Sequence, residues 1–203
     1  MRFDKFTIKS QELIQASQSL ASQQSHQQIE PEHLLSAMLN EQDGIAAAIL
    51  NKLGVSPGAI GQELTSALNG IPKVSGGGDV YLSTRTKNIL DKAFFEASKM
   101  KDEYVSIEHI LLAISDEKDG NVAQILKNNS VTRDSILKVL LDIRGNQRIT
   151  DPNPEDKYQA LEKFSQDLTN LARQGNWTRL LEEMMKSGGS FRYYQEEQRT
   201  IQY

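Results

Sequence analysis

The 203-residue sequence contains no cysteine. Disulfides and cysteine-ligated zinc are therefore excluded, and a reducing compartment is compatible with the absence. No stretch approaches the 18 apolar residues of a membrane span, and the opening MRFDKFTIKSQELI lacks an apolar segment of signal-peptide length. A cytoplasmic location without membrane association is the expectation. Charge of one sign is missing too: the net charge is −4 with acidic and basic residues interspersed, so neither nucleic acid nor an anionic membrane is expected as a partner. What is present is 38% hydrophobic and 25% charged residues, enough for one or two compact domains with buried cores.

The chain repeats itself. Shifted by 76 residues, Phe6 to Leu68 aligns with Leu82 to Arg144 without a gap and with fifteen identities. EPEHLLSAMLNEQDG from Glu30 returns as SIEHILLAISDEKDG from Ser106. Thr7 and Ser83 are placed to accept hydrogen bonds from the first amides of a long helix. Glu30-Pro31 and Ser106-Ile107 open a second helix, with Glu32 and Glu108 near its positive end. Gly44 and Gly120 are expected to close that helix. A third contains IAAAILNKL or NVAQILKNN, with Gly54 as a stop in the first copy, and Ser56-Pro57 and Thr132-Arg133 begin a fourth. Apolar spacing of three and four runs throughout, with no alternating strand pattern.

The expected fold is therefore all-α, with two tandem four-helix repeats, about 4–69 and 80–145, sharing a core across a pseudo-twofold axis. The glycine-rich NGIPKVSGGGD joins them. Residues 146–154 read as a linker. Beyond it, Tyr158, Leu161, Phe164, Leu168 and Leu171 lie on one face of a further helix at 155–175.

Chemistry is sparse. The run Gly76 to Gly78 is not followed by the Gly-Lys-Ser/Thr of a phosphate-binding loop, so it reads as linker. Glu32-His33 and Glu108-His109 lack a third ligand at metal-binding spacing, and neighbouring helix residues point about 100° apart. Dipole complement, packing or capping is the expected role. His26 reads as helix-end surface. No catalytic constellation and no cofactor are expected, which leaves surfaces: grooves between helical repeats suit segments of other proteins.

MRFDKFT, EPEHLLSAML, SIEHILLAI, GIPKVSGGGDVYLS and ITDPNPEDKYQALEKFSQDLTNLARQG resemble the Clp amino-terminal (Clp R) domain of ClpB-type AAA+ disaggregases over residues 1–175. The resemblance implies a Clp N-domain-like double repeat at 1–145 that engages unfolded or aggregated polypeptide for an ATP-driven hexameric ring. It also implies that Thr7, Asp102 and Glu108 belong to the substrate-contacting face. Thr7 has a competing role as N-cap, and Glu108 as dipole partner. ATP and magnesium would belong to AAA+ modules that follow in such proteins, and the fragment by itself is expected to be monomeric.

The family pattern breaks after Gly175. Codons permitted for Asn176 to Met185, read from one adenine earlier, encode KLDPVIGRDD. The same shift carried to Tyr203 encodes EIRRVIQVLSRRTKNNPV, the family's entry into its first ATPase module. Residues 176–203 are accordingly expected to be an out-of-frame, disordered tail on a truncated, motorless chain. The competing reading is a free-standing adaptor, with Trp177, Leu180, Leu181, Met184 and Met185 as a docking stripe for a Clp ring. Deleting 176–203 is expected to leave the thermal unfolding midpoint of the double repeat unchanged, measured by circular dichroism; a clear fall would make the tail structural.

Overall fold

Orphan amides at the helix starts find partners where the sequence placed hydroxyls. The computed structural model describes residues 3–41, 44–75, 79–145 and 148–154. Thr7 Oγ1 accepts from the Ser10 amide at 3.2 Å and opens α1 (Ile8–Gln23); Ser83 Oγ accepts from the Thr86 amide at 3.1 Å and opens α5 (Thr84–Met100). The remaining helices recur in the same order: α2 (Pro31–Asn40), α3 (Ile45–Lys52) and α4 (Pro57–Asn69), then α6 (Ile107–Ser115), α7 (Asn121–Asn128) and α8 (Arg133–Arg144). Pro31 and Pro57 occupy first turns, where no amide is missed. The helix expected at 155–175 and the tail at 176–203 lie outside the described residues.

Two glycines act at the opposite end from the one expected. α2 stops at Asn40 and α6 at Ser115, and Gly44 and Gly120 are the N-caps of α3 and α7. Glycine serves at both helix ends, so composition does not separate the two roles. At Gly120 the reason for glycine is spatial: φ is 95°, and an added Cβ would collide with the Arg85 guanidinium. That guanidinium holds Glu117 through bonds of 2.9 and 3.2 Å.

A short extended ladder, unannounced by sequence periodicity, ties the repeats together. β1 (Gln28–Ile29) pairs in parallel with β2 (Tyr81–Leu82), and Phe6 bridges Val105. At the 76-residue offset Ile29 corresponds to Val105 and Leu82 to Phe6. The two pairings are thus one contact seen from either half, each repeat lending the segment before its long helix to the other. The core is likewise shared: Phe6, Leu34, Leu50 and Ile60 belong to the same buried cluster as Leu90, Ile110, Leu111 and Ile136. Each such side chain contributes about 1.5–3 kcal/mol on burial, so neither repeat would keep its core alone. Among the described residues no helix is long and apolar enough to cross a membrane.

His26 is not at the surface: it is 2% exposed, with Nδ1 2.9 Å from His33 Nε2. The capping box explains the pairing. The Glu30 amide donates to His33 Nδ1 at 2.9 Å, which places the His33 proton on Nε2, facing His26. Turn geometry brings the two rings edge to face at 5.1 Å. Burial and then the charge of His26 push the His33 pKa down to about 4, and burial followed by Lys73 lowers His26.

Gly120→Ala is expected to displace Arg85 and strain the backbone, costing about 1–3 kcal/mol in urea unfolding; an unchanged midpoint would refute the collision. The depressed His33 pKa means the unfolded chain takes up a proton first as pH falls. Stability from this site is complete above about pH 6.5 and drains away toward pH 4, a loss of roughly 3 kcal/mol. With three histidines in the chain, imidazole NMR resolves the point: a His33 midpoint near 4 is expected, and one near 6.5 would contradict the buried pair.

Candidate substrate-binding surface

The second repeat builds on the same capping box with different side chains. Ser106 donates its amide to His109 Nδ1 at 3.0 Å, and His109 Nε2 reaches Asp102 Oδ2 at 3.0 Å. Asp102 stands where the first repeat has His26, and Arg144 where it has Leu68. Arg144 takes both oxygens of Asp102, at 3.0 and 2.8 Å, and its other terminal nitrogen lies 3.4 Å from Glu108 Oε1. The Ile149 amide completes the set, donating to Asp102 Oδ1 at 2.8 Å. Burial alone would push the Asp102 carboxyl up; hydrogen bonds from His109, Ile149 and Arg144 outweigh it and hold the group below the usual aspartate range.

The structure thus joins two of the three expected site residues directly. Asp102 and Glu108 share Arg144, while Thr7 attaches to the same loop through its amide, which donates to Val105 O at 2.9 Å. The Asp102 and Glu108 side chains and the whole of Thr7 are 0% exposed. Their placement is interior, with Asp102 bonded to Ile149, and Thr7 does serve as the N-cap of α1. Glu108 accepts no hydrogen bond through either oxygen among the described residues. Its counterpart Glu32, 1% exposed, lies 3.5 Å from Arg85 instead.

Arg144 was the residue missed by sequence reasoning. The available signal was the paired departure from the repeat: an acid and a base appear together at 102 and 144, where the first copy has His26 and Leu68. Arg144 also forms the inner wall of a groove of about 510 Å³ between the end of α5 and α8. Met100, Leu137 and Leu141 give this groove apolar surface, and Lys101 and Arg148 stand at its rim. Leu141 is 64% exposed, the highest value among the large exposed apolar side chains of the described residues. One turn earlier along α5, Phe95, 61% exposed, borders a second groove of about 780 Å³ lined by charges of both signs, Asp91, Asp116, Glu117 and Asp119 with Arg85, Lys92 and Lys118. Among the described residues no group of three His, Cys, Asp or Glu side chains is arranged to hold a metal ion.

Relatives share this architecture. The chain is 41% identical over 179 residues to the chaperone protein ClpB of Bacillus cereus, a match covering 86% of this chain and 21% of that one. It therefore spans about a fifth of the length of the curated relatives it matches. The Hsp104 N-terminal domain from Candida albicans superimposes with a TM-score of 0.67 at 26% identity, over 74% of this chain and 99% of that one. A ClpV N-domain solved in complex with a VipB peptide has a TM-score of 0.56 at 15% identity, over 68% of this chain and 86% of that one, and shows the fold alone. A chain with this duplicated architecture, matched over residues 5–129 by the model of the Clp repeat (R) N-terminal domain, belongs to that family.

Proposed function

We propose that the chain is the substrate-recognition domain of a ClpB-like ATP-dependent disaggregase, binding unfolded or aggregated polypeptide in cytoplasmic protein quality control under heat stress. The carrying observation is the groove between α5 and α8, where exposed Leu141 and neighbouring apolar side chains are rimmed by Lys101 and Arg148. Apolar surface with a few polar groups at its edge suits unfolded segments, which expose the side chains that a folded client hides. The peptide held by a ClpV N-domain of the same fold supports this reading. Threading by a hexameric ATP-driven ring belongs, on this reading, to regions outside the present chain, which contributes recognition and no catalysis. On this reading Asp102 and Glu108 act by holding Arg144, which lines the groove, and Thr7 by fixing the start of α1 against the same loop.

Single-domain affinity is expected to be weak, because a ring presenting several copies gains roughly 100-fold or more in avidity. Fluorescence anisotropy with labelled α-lactalbumin, reduced and alkylated or native, tests the proposal. Binding of the unfolded form alone is expected, weakened about tenfold by Leu141→Asp through the lost burial of one leucine. No binding, or equal binding of the native form, would refute it.

A further inference from the structure

Residues 148–154 return from the α8 side across the end of the molecule and are held there by backbone hydrogen bonds. The Ile149 amide donates to Asp102 Oδ1, and the Ile149 carbonyl accepts from the Glu103 amide, both at 2.8 Å. The Pro152 carbonyl accepts from the Ile8 amide at 2.8 Å. Ile8 is the first residue of α1, so its N–H has no acceptor within the helix. The Ile149 side chain is 0% exposed and Pro154 is buried, while Thr150 between them is exposed. Ile149 thus uses its amide on the Asp102 carboxylate and its carbonyl on the Glu103 amide, with its side chain in and the next one out, the alternation of an extended segment docked on its neighbours.

The surface under this strap is a set of main-chain donors and one carboxylate. Beside these polar contacts, the strap buries Ile149 and Pro154. The surface begins where the α5–α8 groove ends, since Arg144 lines the groove and also holds Asp102. Of the three residues implied in client contact by the family resemblance, Asp102 bonds the strap, Thr7 precedes Ile8, whose amide the strap accepts, and Glu108 is linked to Asp102 through Arg144. While the strap is in place, Asp102 and Glu108 present nothing to solvent. The counterpart of the strap in the first repeat is the segment after α4, which is anchored covalently at both ends, between α4 and α5.

We infer that the surface formed by Asp102, the Glu103 amide and the Ile8 amide is a receptor for an extended polypeptide segment, that residues 149–152 occupy it in cis, and that a client binds by taking their place. The client segment has a free N–H on a buried apolar residue of about isoleucine size and a carbonyl three residues later. This deepens, and rests on, the proposal that the domain binds unfolded polypeptide. A site filled by its own chain shows the client a weakened affinity, reduced by the fraction of molecules in which the strap has left.

Residue-resolved hydrogen exchange on the full chain, with and without reduced and alkylated α-lactalbumin, separates the outcomes. Displacement requires the Ile149 amide to exchange faster when the probe is bound, because it loses Asp102. The Ile8 and Glu103 amides stay protected, because the client now engages them. Binding that leaves Ile149 exchange unchanged or slower overturns the inference and leaves the function standing; absence of binding overturns both. Ile149→Asn, which loosens the strap without touching the receptor groups, is expected to bind the probe about fivefold to tenfold more tightly if the strap is open in 10–20% of molecules. Equal or weaker binding by a folded Ile149→Asn chain counts against the inference, and if that variant does not fold, the exchange experiment on the unaltered chain decides.

Discussion

Burying two carboxylates is affordable only when a cation and hydrogen-bond donors are buried with them, and Arg144 meets that condition for the second repeat. Its guanidinium is 3% exposed, between Asp102 and Glu108. Removing one partner of such a pair typically costs about 3–5 kcal/mol, because the other charge is left in a poorly solvating interior. The end of α8, the loop after α5 and the first turn of α6 therefore have one relative placement that satisfies all three groups. Val105, whose carbonyl receives the Thr7 amide, then fixes the start of α1.

The duplication shows how one scaffold acquires two chemistries. Both copies use histidine at the third helical position to accept the N-cap amide, and both turn the imidazole Nε2 toward the residue seven positions earlier. In the first copy that residue is His26, so two rings meet and neutrality is favoured. In the second it is Asp102, so an ionised carboxylate is favoured and recruits Arg144 and the Ile149 amide. The backbone ladder is the same in both halves. The difference lies in side chains, and it places the Asp102–Arg144 pair in the second half alone.

The fold leaves an apolar patch uncovered between α5 and α8. Leu141 projects from α8 while Leu140, one residue earlier, is 2% exposed in the core. Successive helix residues point about 100° apart, so a leucine pair straddles the boundary between core and groove. Lys101 and Arg148 stand around the exposed member.

Much of the fold was legible in the residues. The repeat, the hydroxyl caps at Thr7 and Ser83, the prolines of the first turns and the histidine caps follow from interactions within a few positions, where sequence distance and spatial distance agree. The glycines at 44 and 120 were misplaced by one element because glycine relieves the backbone at either end of a helix. The short ladder escaped because two-residue strands carry no periodicity. Of the site, Thr7, Asp102 and Glu108 were named through family resemblance, but their burial, the role of His26 and the presence of Arg144 were not foreseen. By itself the sequence determined the helix starts marked by hydroxyls and prolines, at Thr7, Ser83, Pro31 and Pro57, because capping and propensity act locally. Only the tertiary structure decided which charges meet, because Arg144 lies 42 residues from Asp102 and Ile149 lies 47, separations that chain closure alone brings together.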